Sequence, residues 1–337
     1  MKRLILTNET SAAGSIGAAR VADFVIALEH RLVSERPLSD AELAAFFGMR
    51  KKRQRRPHWL DFMPAWRLER HDLKGLGLVE LCERYDEIDL WIDPCANDQL
   101  QLICLLHFLR SRGEIASRLT LSQFDLRIGE YTPEEVANWR LPGVKVGIDH
   151  FELATRAWQA FGAPTPRDWF GLSKQDLGLL PRLKHAVVEL LEELPSRATG
   201  IGATETRILE FIAEGGLRPK DLFARLFSDE ERTKRCVFDY WELGALLDRL
   251  ARCPAPAING VSEGPFTLEM HVDRDRHERY NQGLLGLTPL GWTILGGKDD
   301  FSRHNPIQRW WGGTELTNDH LWRWDPDNKV LIAPDES

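Results

Sequence analysis

Glu87-Ile-Asp-Leu-Trp-Ile-Asp93 runs without a pause into Pro94-Cys-Ala-Asn-Asp98-Gln99-Leu-Gln-Leu-Ile-Cys-Leu-Leu-His-Phe-Leu109. The first stretch is a short apolar strand and the second a mostly apolar helix, and the polar residues gather at the turn between them. That is half of a βαβ unit. The chain opens in the same way: Arg3-Leu-Ile-Leu-Thr7 reads as a strand, Asn8-Glu-Thr-Ser11 as a turn and Ala12-Ala-Gly-Ser-Ile-Gly-Ala-Ala19 as the start of a helix. Two such units imply a parallel sheet whose ligand-binding turns lie at the carboxyl ends of the strands.

Working outward, further strands are expected over 23–28 and 118–124, and helices from Ser39, over 72–85 and over 97–111. This alternation predicts an α/β fold, a Rossmann-like three-layer sandwich with a parallel sheet, over residues 1–130. Residues 131–199 read as a helical connector: Thr132-Pro-Glu-Glu is a capped helix start, and the amphipathic run Leu183–Leu194 is closed by Pro195. Three short helices follow over 204–214, 219–227 and 237–252, then a strand pair around Phe266–Val272 and Leu284–Leu287. That order predicts a winged-helix-like domain over 200–300. A tryptophan-rich tail over 301–337 completes the division; alternation in Trp322-Arg-Trp324-Asp325 puts both indoles on one face of a strand, where they close a core.

The chain has 337 residues, enough for about two domains. Its net charge of −7 argues against general attraction to nucleic acid or anionic membrane. No stretch reads as a signal peptide or a membrane span, so a cytoplasmic protein with no membrane partner is expected. The five cysteines form an odd set without a CxxC pair, which points to reduced thiols, and Cys104 on the apolar helix is expected in the core. The ten histidines show no HExxH or other paired-ligand spacing, and no metal is assigned. His107 on the same helix is expected to be packed.

In a parallel sheet the first three strands bring Asn8, Glu9, Thr10 and Ser11 near Glu29, His30 and Arg31, and near Asp93, Asn97, Asp98 and Gln99. These residues, with Ser15, are the candidate ligand-binding set. Ser11 and Ser15 beside Gly14 could offer backbone amides to a phosphate or carboxylate. The stretch is neither GxGxxG nor a Walker A loop. On the competing reading Thr10 or Ser11 merely caps one helix and Asp93 or Asn97 the next. The acids on this edge could also bind a divalent cation through oxygen. Separately, Arg50, Lys51, Lys52, Arg53, Arg55 and Arg56 form a run that either contacts a polyanion or ends a helix in solvent.

Thr7-Asn8, Ser11-Ala12-Ala13-Gly14, Leu90-Trp91, Asp98-Gln99-Leu100-Gln101-Leu102, Leu287-Thr288-Pro289-Leu290-Gly291, Arg309-Trp310, Gly312-Gly313 and Trp322-Arg323-Trp324-Asp325 together resemble the bacterial family called domain of unknown function 1835. The resemblance is collinear over most of the chain. It implies an N-terminal α/β domain and a C-terminal helical domain, and it brings no established activity. The chain departs from the family pattern at Asn8-Glu9-Thr10-Ser11, where the family often has Asn-Gly-Asp-Ser. It departs again at Asp93-Pro94-Cys95, where the family often has Glu-His-Asp, and its second turn matches only at Leu32 and Pro37.

Two functional classes follow. In the first, the protein is regulatory: the α/β domain senses a small anion or nucleotide, and the winged helix engages a protein partner. Binding of DNA by the third helix is disfavoured by Asp239 and Glu242 at its opening. The second is an enzyme acting on a phosphate-bearing substrate, with Asp93 or Asp98 as general base and Arg31 or the 50–56 run holding phosphate.

Overall fold

The computed structural model describes residues 1–51, 57–140, 142–228 and 237–336. Of the basic run, Lys52, Arg53, Arg55 and Arg56 lie outside the described residues, as does Cys236. The chain forms two compact units, one of residues 1–163 and 174–186, the other of residues 164–173 and 187–337.

The first unit is mixed α/β. Its elements run β1 (Arg3–Thr7), α1 (Thr10–Ala19), β2 (Phe24–Ala27), α2 (Asp40–Phe47), α3 (Ala65–Arg70), α4 (Leu78–Cys82), β3 (Glu87–Ile92), α5 (Ala96–Leu109), α6 (Gly113–Ala116), β4 (Leu119–Gln123), α7 (Pro133–Asn138), β5 (Val144–Lys145) and α8 (Ile148–Phe161). The sheet order is β2-β1-β3-β4-β5. The four strands expected from the sequence pair in parallel, with Leu4 opposite Phe24 and Ile88, and Ile88 opposite Leu119. The fifth, β5, pairs antiparallel with β4.

Alternation along the strands divides the core. Ile5, Val25 and Trp91 face one way and pack with Ala12, Ala13 and Ile16 of α1 and Val136 of α7. Leu4, Leu6, Ile26, Ile88, Leu90 and Ile92 are buried on the other face. Helix α5 is buried over nearly its whole length and packs against α8. Cys104 and His107 are both buried on it, and His107 Nε2 hydrogen-bonds Asp40 Oδ1 at 2.8 Å.

Three expectations change in this unit. The helix expected over 72–85 shrinks to Leu78–Cys82, because Asp72 (φ 50°) and Gly75 (φ 74°) take left-handed turns that a helix cannot contain. The stretch 132–194 is not helical throughout, since β5 lies within it. Helices α7 and α8, assigned from sequence to a connector, pack on α1 and α5. The Thr132 start is present as read: its hydroxyl accepts from the Glu135 amide, and the Glu135 carboxylate accepts from the Thr132 amide at 2.8 Å.

Helix α9 (Arg167–Leu172) lies in the second unit, and α10 (Leu183–Glu192) passes from the first unit into the second. Then come α11 (Ala203–Ala213), α12 (Pro219–Ser228), α13 (Tyr240–Ala251), β6 (Ile258–Asn259), α14 (Arg274–Gln282), β7 (Gly286–Leu287), α15 (Pro289–Leu295) and strands β8 (Gln308–Trp311), β9 (Thr314–Thr317), β10 (Arg323–Asp325) and β11 (Val330–Ile332). The expected strand at Phe266–Val272 is absent. Leu268–His271 is a 3-10 turn, and the antiparallel pair is β6 with β7. The Phe266 amide is taken by the Asp248 carboxylate, and its ring packs on Phe223, Tyr240, Trp241 and Tyr280, so this backbone is not available to a ladder. Trp322 and Trp324 are both buried, as the alternation required.

Gly244, in the middle of α13, lies under that same ring, and an added Cβ would run into the Phe266 ring atoms. Gly244→Ala improves helix propensity by about 1 kcal/mol, yet overpacking costs about 1–3 kcal/mol and dominates. A lower urea midpoint for the variant is the expected result; a midpoint at or above the parent's would show that Phe266 moves aside freely. Among the described residues, no helix is long and apolar enough to cross a membrane.

Candidate functional site

Strand order reverses at β1, which has β2 on one side and β3 on the other. The turns after β1 and β3 therefore meet at the carboxyl edge where the order reverses, the place where open α/β sheets bind ligands. Thr7 and Asn8 close β1, and Asp93 closes β3 just before α5. On α5, Asn97, Asp98, Gln99 and Gln101 follow within its first two turns, all at most 5% exposed.

Most of these polar groups organise the turns. Asn8 Nδ2 donates to Gln101 Oε1 (2.8 Å), and Gln101 Nε2 donates to the His30 carbonyl (2.7 Å). Asn97 Oδ1 accepts from the Leu32 amide at 2.8 Å, and its Nδ2 donates to the His30 carbonyl at 3.3 Å. Gln99 Nε2 donates to the Asp93 carbonyl (2.7 Å), and Gln123 Nε2 donates to Gln99 Oε1 (2.7 Å). The second-strand turn is thus sewn to α5 by side-chain amides, which supply both donors and acceptors.

Capping does not account for these residues. Glu9 is the residue before α1 and Cys95 the one before α5, and neither makes a side-chain cap. Ser11 Oγ donates to Glu9 Oε2 at 3.3 Å. Gly129 lies so close over the start of α1 that a Cβ there would be 2.5 Å from Ser11 Oγ and 3.3 Å from the Ala12 amide nitrogen. Among the described residues, Thr10 and Ser15 make no side-chain hydrogen bond into the cluster.

The carboxyls are the anomaly. Asp93 Oδ1 accepts from the Ile128 amide at 3.0 Å, while its Oδ2 is buried without a partner. Asp98 Oδ2 is buried without a partner too, as are Asn8 Oδ1 and Thr7 Oγ1. Burial is the main force on both acids. It pushes Asp93 up to about 7, opposed by the Ile128 amide and reinforced by Glu9. It raises Asp98 well above the usual carboxylate range, with Glu9 and Asp93 adding repulsion and Arg31 and Arg127 opposing. Arg127 also reaches Cys95, its Nε 3.2 Å from Sγ. This is a polar, predominantly acidic edge with acceptor atoms that no group of the described residues fills.

Glu29 and His30 sit to one side. They line a cavity of about 20 Å³ with Leu28, Phe46 and Trp59, room for little more than one water. Burial, helped by Arg31, lowers the His30 pKa to about 4, so the imidazole is neutral and packs on Phe46 at 4.7 Å. Gln101, Gln123 and Arg127 were not in the sequence-derived set. Gln101 could have been found, since a glutamine inside an otherwise apolar helix needs a partner. Arg127 and Gln123 carry no such signal.

At the basic run, Arg50 pairs with Asp61, and its amide donates to the Gly75 carbonyl at 2.9 Å. Among the described residues, no three His, Cys, Asp or Glu side chains are arranged to hold a metal ion. No family model matches the chain, and no curated protein does either.

Proposed function

We propose that the first unit is a Rossmann-like nucleotide-sensing module and the protein a regulatory one. The observation that carries this is Asp98: 2% exposed, at the strand-order reversal, with a buried carboxylate oxygen, Oδ2, that no hydrogen-bond donor among the described residues reaches. A buried acceptor without a donor is costly in the free protein and is satisfied by a ligand that brings one. Ribose hydroxyls or base amino groups suit Asp93 and Asp98, and Arg31 and Arg127 suit the phosphate of the same molecule.

The second unit is read as winged-helix-like and partner-binding, from three helices followed by a short antiparallel pair. Its third helix opens with Asp239 and Glu242 in a capping box, 2.8 Å in both directions, which keeps negative charge where a DNA phosphate would lie. Arg279 is bound to Glu263 at 2.6 Å, and exposed Leu268, Val272, Leu284 and Trp292 favour a protein partner.

Titration of the full chain with ribonucleoside monophosphates, followed by thermal shift, tests the first reading. Saturable binding is expected, with Asp98→Asn weakening it about tenfold or more, since a hydrogen bond to a charged group contributes about 1.5–3 kcal/mol. Binding that is absent, or equal in the variant, overturns the assignment. An enzyme acting on a phosphate-bearing substrate is the second reading, favoured by Asp93, whose acidity near neutrality suits a general acid–base.

A further inference from the structure

The sheet carries a second polar feature, on one of its faces, that shares no residue with the carboxyl-edge cluster. Strands buried on both faces in a parallel sheet normally read as continuous apolar runs. Strands β3 and β4 instead alternate, and the register places Asp89 beside Thr120 and Trp91 beside Ser122 on one face. Helices α1 and α7 cover that face over Ile5, Val25 and Trp91. Beside α7, over Arg3, Asp89, Thr120 and Ser122, it opens instead into a cleft of about 480 Å³, the size of a small-molecule site.

The lining defines the chemistry. Arg3 bridges Asp89 and the Val21 carbonyl, so its charge is matched. Thr120 and Ser122 line the cleft; Ser122 is only 7% exposed, and among the described residues neither hydroxyl has a hydrogen-bond partner. Indoles of Trp91 and Trp139, 6.0 Å apart, form an apolar wall. Arg140 stands exposed at the mouth, donating to the Trp139 carbonyl at 3.1 Å, and among the described residues it has no acidic partner.

We infer that this cleft binds an anionic polyol, a hydroxylated molecule of monosaccharide size bearing one phosphate or carboxylate. Hydroxyl groups both donate and accept, which is what Asp89, Thr120 and Ser122 together require. The C–H face of a sugar packs on the half-buried Trp139 indole, and Arg140, which has no acidic partner among the described residues, takes the anionic group.

The test is titration of the full chain with glucose 6-phosphate, gluconate, glucose and inorganic phosphate, followed by tryptophan emission and thermal shift. The two anionic polyols are expected to saturate, with glucose and phosphate each at least about tenfold weaker. Arg140→Ala, at an exposed position, should keep the melting temperature of the free protein and lose about tenfold for the anionic probes alone. The near-isosteric pair Thr120→Val and Ser122→Ala should weaken glucose 6-phosphate and gluconate alike. The inference is overturned if no anionic polyol saturates, if phosphate alone binds as tightly, or if Arg140→Ala binds as the parent does. Asp98→Asn should leave these titrations unchanged, which separates this cleft from the carboxyl-edge site.

Discussion

Asp98→Asn should make the free protein more stable at pH 8, by about 2–4 kcal/mol, and hardly change it near pH 4. Its buried Oδ2 has no hydrogen-bond partner among the described residues for the amide to lose, and the two side chains have nearly the same shape. Burial raises its pKa, so the folded state holds a proton that the unfolded state has released. The associated stability is present below the unfolded value near 3.8 and is lost as pH rises toward the folded one, leaving the parent progressively destabilised while the variant is not. Asp93, pushed up to about 7, adds a slope of the same sign between about pH 4 and 7. One influence opposes this: position three of α5 favours negative charge through the helix dipole, by about 0.3–1 kcal/mol. That is smaller than the cost of burying an unpaired carboxylate. Thermal melts of parent and variant across pH 4–8 are the measurement. A variant destabilised equally at both ends would mean that Asp98 has a structural partner, and the ligand assignment would go with it. Gaining stability while losing binding is the pattern of a site held for function rather than for folding.

The same residue shows how far the sequence could be read. Strands β1 to β4 were visible because each is a short apolar run between helix-length segments, and neighbouring strands in one sheet are the usual outcome. The carboxyl-edge site followed from that order, and with it Asn8, Asp93, Asn97, Asp98 and Gln99. What could not be read was which polar group serves the fold and which is left over. Asn97 and Asp98 are adjacent and equally polar in the sequence and equally buried in the fold, yet one holds the Leu32 amide while the Oδ2 of the other has no partner among the described residues. That difference depends on where the 28–32 turn passes, which no local pattern records. Strand β5 was invisible for another reason: Val144 and Lys145 are exposed, so they leave no burial signature. Phe266 misled because an aromatic residue in a β-like stretch was drawn into a ring cluster, and tertiary packing outweighed propensity.

In the second unit the largest effect is expected from Glu205→Gln. Glu205 is 2% exposed; its carboxylate lies 2.5 Å from Arg249 and 3.7 Å from Arg309, and it also accepts from the Gly202 amide at 3.0 Å. Burial would raise its pKa, but the two guanidiniums outweigh burial and hold it below the ordinary value. Burial and the nearby Arg249 lower the Arg309 pKa to about 10, so this arginine depends on Glu205 for compensation. Glu193 cannot take over: burial pushes it up to about 7, and its carboxylate is engaged by the Thr204 hydroxyl at 2.5 Å. Removing one charge therefore leaves two cations, 28% and 19% exposed, without their buried counter-charge, a loss of about 2–4 kcal/mol once their partial solvation is allowed for. Urea unfolding followed by tryptophan emission should show the lower midpoint at pH 7. Because the Glu205 pKa is depressed on folding, its contribution is present above the unfolded value near 4.5 and lost as pH falls through the folded one. The gap between parent and variant should close in acid accordingly. Replacing Glu205, Arg249 and Arg309 together with methionine removes the stranded charges and should recover most of the loss. If Glu205→Gln costs under about 1 kcal/mol, the network is solvated like a surface pair and does not hold this unit together.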